Sequence, residues 1–245
     1  MAGLAGNALA RSQPVPLDTL DWTRIAESLD DLGYADLGPM LTAEDCAALI
    51  ALYSDDTAFR KRIVMRRHGY GEGEYKYFDY PLPPAVARLR EHVYPHLAPI
   101  ANRWEERLRS ERRFPPPLEE MLRRCHDAGQ ARPTPLILKY ESGDYNRLHQ
   151  DLYGEQVFPL QLVILLSDPA RDFEGGEFIV TEQRPRMQSR AEVVPLRQGH
   201  GVVFAVNERP RLGTRGYHRV KQRHGVSRLR AGQRYTLGII FHDAA

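Results

Sequence analysis

Residues 138–151 read LKYESGDYNRLHQD, and this stretch decides the fold. A strand-like run from Leu136 to Tyr140 leads into it, and near its end His149 and Asp151 stand two apart, so on a strand both side chains point to one face. Two ligand-type side chains on one face invite a metal, although a lone His-x-Asp pair is common by chance and needs a third partner. Working outward, Phe158 to Leu166, Glu177 to Thr181, Ala191 to Leu196, Gly201 to Val206, Tyr217 to Gln222 and Arg234 to Phe241 also read as strands. Each is bounded by Gly, Pro or polar turns, and seven or eight short strands point to a sandwich or jelly roll.

Toward the N-terminus the pattern becomes helical. An amphipathic stretch through Trp22, Ile25 and Leu29 follows Asp18 and Thr19 as candidate caps, and Thr42-Ala-Glu-Asp45 opens a second helix like a capping box. Two further helices run from Ala85 to Leu108 and from Leu118 to Ala128, separated by Pro115-Pro116-Pro117. No charge block, repeat or linker divides the chain. The expectation is therefore one mainly β domain with flanking helices over residues 18–245, with helical support at 18–130 and a jelly-roll core at 134–242, behind a flexible tail at 1–17.

The third ligand comes from the segment HGVSRLRAGQRYT, residues 224–236. It places His224 at a strand end, a turn at Gly232 and Arg234 at the opening of the last strand. Two imidazoles and one carboxylate on a facial triangle leave three positions open on Fe(II), which is what O2 and a bidentate co-substrate need. Zinc normally prefers four closed ligands or a single open position. Arg234, with Thr236 on the same strand face, offers a charge-assisted partner for the far carboxylate of a dicarboxylate. His218 competes with His224 for the distal position. It lies ten residues before Arg228, but Arg228 precedes the Gly232 turn, so His224 is preferred and His218 reads as a barrel-wall residue or a hydrogen-bond partner of a metal ligand. The other six histidines have no partner at ligand spacing.

At 245 residues, with 42% hydrophobic and 27% charged residues, the chain can bury a sizeable core and is neither fibrous nor disordered. Cys46 and Cys125 are too few and too far apart for a disulfide framework, no run approaches a membrane span, and the first fourteen residues lack a cationic start. These features predict a cytoplasmic protein with no membrane partner. The net charge is only +2, but the cations are overwhelmingly Arg, with just four Lys. They cluster at Arg60 to Arg67, Arg184 to Arg190 and Arg209 to Arg223. The first cluster runs into Tyr70, Tyr75, Tyr77, Phe78 and Tyr80, and this basic and Tyr-rich segment at 60–80 suits phosphates and an unstacked base, with Tyr70 to Tyr80 as a lid. Gly175-Gly176-Glu177 lacks the Lys of a phosphate loop and reads as a tight turn, with Glu177 near the mouth of the site.

The His149, Asp151, His224 and Arg234 set resembles the 2-oxoglutarate/Fe(II)-dependent dioxygenases, and residues 20–53 resemble the entry to their fold. That resemblance implies a double-stranded β-helix, a cupin-like jelly roll, with Fe(II) on the His149, Asp151, His224 triad. It further implies 2-oxoglutarate held by Arg234, Thr236 and Tyr140, O2 as oxidant, and release of succinate and CO2. LHQD at 148–151 and HGVSRLRAG at 224–232 are similar to AlkB-type base-repair enzymes. FEGGEF at 173–178 and GQRYTL at 232–237 are similar to prolyl 4-hydroxylases. NRLHQDLYGEQVFPLQ, TEQRPRMQSR and RHGVSR resemble a prokaryotic oxygenase family proposed to demethylate damaged DNA bases oxidatively. Single-stranded or damaged DNA is thus the expected partner. A protein or peptide substrate is the alternative, and a non-catalytic cupin-like metal-binding sensor a third reading. AlkB-type enzymes carry an Asn and a second Arg where this chain has Leu138 and Ile240, so the resemblance does not extend to their co-substrate pocket.

Overall fold

Short apolar runs from Leu136 onward, bounded by Gly, Pro and polar turns, build two antiparallel sheets. The computed structural model describes residues 14–184 and 186–245. Among these residues the chain forms four α-helices, α1 (Trp22–Asp31), α2 (Ala43–Leu52), α3 (Pro84–Arg107) and α4 (Leu118–Asp127). It forms fourteen strands: β1 (Tyr34–Pro39), β2 (Phe59–Val64), β3 (Gly71–Glu72), β4 (Glu74–Phe78), β5 (Leu136–Glu141), β6 (Tyr145–His149), β7 (Leu160–Leu165), β8 (Phe173–Gly175), β9 (Phe178–Gln183), β10 (Arg190–Val194), β11 (His200–Ala205), β12 (Glu208–Gly213), β13 (Gly216–Val226) and β14 (Leu229–Ile240).

The major sheet has the order β1-β11-β7-β14-β5-β4-β2, with β8 pairing β14. The minor sheet has the order β10-β9-β13-β6-β3, with β12 pairing β13. The links β5 to β6 and β13 to β14 each carry the chain from one sheet to the other, giving the jelly roll expected for the fold. Strand β7 shows why both faces of the major sheet are buried. Leu160, Leu162 and Ile164 join the core beneath α3, with Val93, Tyr94 and Leu97, whereas Val163 joins the cluster between the sheets with Phe178, Phe204 and Tyr140. Burying side chains of this size contributes about 1.5–3 kcal/mol each. Inner positions of β5, β7 and β14 thus face the space between the sheets, where the site lies.

Several boundaries differ from expectation. Leu17–Thr19 form a short 3-10 turn, and the cap of α1 is Asp21, whose carboxylate accepts from the Arg24 amide at 3.0 Å. The capping box at Thr42 is present, with Thr42 and Asp45 each accepting the other's backbone N–H. The expected tail at 1–17 lies outside the described residues as far as position 13, and Val15 donates to the Pro39 carbonyl at 2.8 Å. β14 begins at Leu229 rather than Arg234, so the reversal after β13 falls at Ser227 and Arg228. Gly232 is a kink inside the strand: its φ is +80° and a Cβ there would stand 2.0 Å from the Asp172 carbonyl oxygen. Nor do Tyr75 and Tyr77 belong to a lid: β4 is paired on both edges, with β2 and β5, so they form a fixed wall, while Tyr70 lies outside β4 and is exposed.

Candidate metal and anion site

His149 and His224 are direct partners across the β6–β13 ladder, which turns both rings to one face with centroids 4.2 Å apart. β6 ends at His149, so Asp151 is brought to that face from two residues beyond the strand rather than from within it. Its Oδ1 lies 3.5 Å from His149 Nε2 and its Oδ2 3.3 Å from His224 Nε2. One ligand atom from each of the three falls within 4.8 Å of the others. His149 Nδ1 sits 2.7 Å from the Arg147 carbonyl, an acceptor that fixes the proton there and leaves Nε2 free as a ligand. Burial alone would raise the pKa of Asp151, but His149 and His224 outweigh it and hold the carboxylate well below its usual range. Burial, and then His149, push His224 down and keep it neutral. Ionised carboxylate and neutral imidazole are the forms that bind metal.

Arg234 and Tyr140 are likewise direct partners, across β14 and β5. The guanidinium is 2% exposed and lies 5.7 Å from the Tyr140 ring and 5.9 Å from that of Phe173. It donates to Thr236 Oγ1 at 2.6 Å, while its Nε has no hydrogen-bond partner. The Tyr140 hydroxyl, fully buried, also has none. Burial pushes Arg234 down to about 10, so it stays charged at neutral pH, and pushes Tyr140 up to about 12. A buried cation with an unsatisfied Nε of its own and a tyrosine hydroxyl beside it suits an anion, because uncompensated charge is costly in a dry interior.

Both groups open into one cavity of about 410 Å³, walled by aromatic and aliphatic side chains including Tyr70, Tyr75, Leu136, Tyr153, Phe178 and Phe204. The structure therefore brings together His149, Asp151, His224 and Arg234, expected from spacing, with Thr236, expected from its strand face, and Tyr140, expected from the family resemblance. It adds residues that the sequence did not single out. The Tyr153 hydroxyl donates to Asp151 Oδ1 at 2.8 Å, and Gln161 lines the floor. Their signal was faint: a Tyr two residues past the Asp, and a lone polar residue in an otherwise apolar strand.

Of the two places expected for His218 the structure gives the barrel wall: it lies on β13 opposite Arg211 and lines no part of the cavity. Other expectations are corrected. Glu177 does not line the mouth of this cavity; it is bound by Ser227 and by Arg230 at 3.6 Å, beside a second hollow behind Arg234. The basic clusters are neutralised only in part. Arg62 and Arg66 pair with Glu74 and Glu72, and Arg209 is fully buried against Glu182 while holding the carbonyls of Asp30 and Asp31 at the end of α1. Arg67, Tyr70 and Arg147 remain exposed on this side, and the His68 and Tyr70 rings stack at 5.2 Å. No helix among the described residues is long and apolar enough to cross a membrane.

This architecture is the fold of the 2-oxoglutarate/Fe(II) oxygenases. It is similar to a Pseudomonas putida prolyl-4-hydroxylase (TM-score 0.53, 15% identity, 91% of this chain and 99% of that one). A 2OG-Fe(II) oxygenase-family oxidoreductase from Burkholderia pseudomallei gives 0.50, with 14% identity over 96% and 98% of the chains. The non-haem alpha-ketoglutarate-dependent epimerase SnoN from nogalamycin biosynthesis gives 0.52, with 16% identity over 89% and 80%. Residues 73–244 match the Oxygenase-NA family, described as an oxygenase catalysing oxidative methylation of damaged DNA; the chain belongs to that family and is an oxidoreductase. It is also 52% identical over 168 residues to an uncharacterised protein of Mycobacterium tuberculosis, found in strains CDC 1551 and H37Rv, covering 69% of this chain and 72% of that protein. The cofactors that go with this fold, Fe(II) and 2-oxoglutarate with O2, fit the residues present: a donor set of two imidazoles and one carboxylate, and a buried guanidinium whose Nε has no partner.

Proposed function

We propose that the protein hydroxylates N-methyl groups on damaged nucleic-acid bases, releasing the methyl as formaldehyde. His149, Asp151 and His224 hold Fe(II); Arg234, Thr236 and Tyr140 grip the far carboxylate of 2-oxoglutarate. When bound, the iron and its co-substrate supply the oxidising chemistry, with succinate and CO2 as by-products. The chain's own residues do the positioning. The cross-strand pair His149 and His224 sets the ligand face, Asp151 supplies the negative charge, and Arg234 holds the anion from the opposite sheet. The apolar walls exclude bulk water from the reacting methyl. The observation that carries this reading is Arg234, a fully buried cation with an unsatisfied Nε facing the same cavity as the His-Asp-His set.

Damaged DNA is favoured as the substrate by the family's description and by the aromatic cavity, which suits a base turned out of its stack. The two cysteines, both free and buried, suit a reducing cytoplasm. The test supplies Fe(II), 2-oxoglutarate and O2 and reads succinate and formaldehyde with and without methylated single-stranded DNA, alongside His149→Ala and Arg234→Ala. DNA-stimulated succinate with matching formaldehyde in wild type, lost in both variants, is the expected result. Stimulation by peptides alone would replace the base by a protein substrate. Succinate formation that survives both substitutions would overturn the site assignment.

A further inference from the structure

One polar side chain in the cavity serves neither the metal face nor the anion grip. Gln161, on the inner face of β7, is 4% exposed and lines the cavity, and its Nε2 has no hydrogen-bond partner among the described residues. A buried amide donor without a partner opposes folding, and a leucine of similar shape would not carry that cost. Its inner-face neighbour on the strand is Val163, so nothing about the sheet itself calls for an amide here. The surroundings point to a ligand. Gln161 stands opposite Phe204 across β7 and β11, and the Phe204 ring lies 4.7 Å from that of His224. The amide is therefore one side chain away from the proposed iron face. On its other edge Gln161 stands opposite Ile240, six residues along β14 from Arg234 and so roughly 20 Å from it by strand rise. The anion grip at Arg234, Thr236 and Tyr140 therefore lies toward the other end of the cavity from Gln161. Ile240 also packs with Leu136 and Tyr153, and at Gly238, between Arg234 and Ile240 on the inner face, a Cβ would meet Leu136 at 2.9 Å.

We infer that Gln161 is a specificity-determining residue: its amide N–H donates to an acceptor on the edge of a planar base seated among Tyr153, Leu136 and Phe204. This rests on the nucleic-acid reading above. Glutamine amides suit base edges because they offer a donor and an acceptor in one plane, and a base out of its stack exposes that edge.

The experiment uses the full chain, loaded anaerobically with Fe(II) and 2-oxoglutarate. Fluorescence anisotropy reads its affinity for labelled single-stranded oligonucleotides carrying 1-methyladenine, 3-methylcytosine or an abasic residue at one position. Wild type is expected to prefer at least one methylated base over the abasic site by about 10-fold or more, and Q161L and Q161E, which both lack the N–H, to lose that preference. Q161L is also expected to melt about 2–4 °C higher than wild type, since it removes an unsatisfied donor. Preference retained in Q161L or Q161E would overturn the role of Gln161 while leaving the nucleic-acid reading standing. No preference for a base in wild type, with binding of peptides instead, would overturn both. A lower melting temperature for Q161L would show that the amide is paired after all.

Discussion

Tyr153 shows how much of the site depends on a group that would touch no metal. Its hydroxyl donates to Asp151 Oδ1, fixing the plane of the carboxylate whose two oxygens face His149 and His224. Tyr153→Phe is expected to weaken metal binding about 10–100-fold with little change in fold, which a competition titration with a chelator would measure; unchanged affinity would show that the hydrogen bond does not orient Asp151. At this scale the sequence was informative where chemistry imposes spacing. His149 and Asp151 two apart, and His224 ten before Arg234, are legible because a shared face and a shared strand dictate those intervals. Tyr140 and Thr236 followed from family likeness and strand parity. Tyr153 and Gln161 were not legible because their roles come from what lies across the cavity, and residues 158–166 read simply as a buried strand.

The elements explain why those spacings work. Cross-strand register sets His149 against His224 in one sheet and Arg234 against Tyr140 in the other, so each functional pair is locked by a ladder of backbone hydrogen bonds. Gly232 allows β14 to bend past the Asp172 carbonyl before it delivers Arg234. Gly232→Ala would force a left-handed backbone and a clash with main chain, and is expected to destabilise by about 2–4 kcal/mol in urea unfolding; a neutral result would show that the kink can relax. Thr42→Ala removes one half of the capping box of α2 and is expected to cost about 1 kcal/mol by the same assay. Strand existence was readable from short runs bounded by Gly, Pro and polar turns, but the start of β14 was not. An isolated Gly looks the same in sequence whether it makes a turn or a bulge, and only the approach of residue 172 decides between them.

Across the whole molecule, helices cover one face of the major sheet and the second sheet covers the other, leaving the cavity between the sheets. The last described strand leads to His242, fully buried with its Nδ1 accepting from the Phe158 amide at 3.2 Å. Burial, then the Arg90 charge, push His242 down to about 4 from its ordinary 6.5. The unfolded chain therefore takes up this proton first. The stability that neutral His242 permits is fully present above pH 6.5 and is lost as the pH falls from there to about 4, by on the order of 3 kcal/mol. Urea midpoints across that window should fall in wild type and flatten in His242→Gln; parallel profiles would assign the loss to other groups. Charge, by contrast, was only partly legible in the sequence: several arginines of the basic runs, Arg62, Arg66, Arg184 and Arg209 among them, are tied to nearby carboxylates, pairings that composition cannot show. The central claim is that the buried Arg234 completes a site begun by His149, Asp151 and His224. Calorimetric titration of 2-oxoglutarate into the anaerobic Fe(II)-loaded protein tests it most directly. Wild type should bind and Arg234→Met should lose about 100-fold or more in affinity; equal affinity in the two proteins would contradict the account.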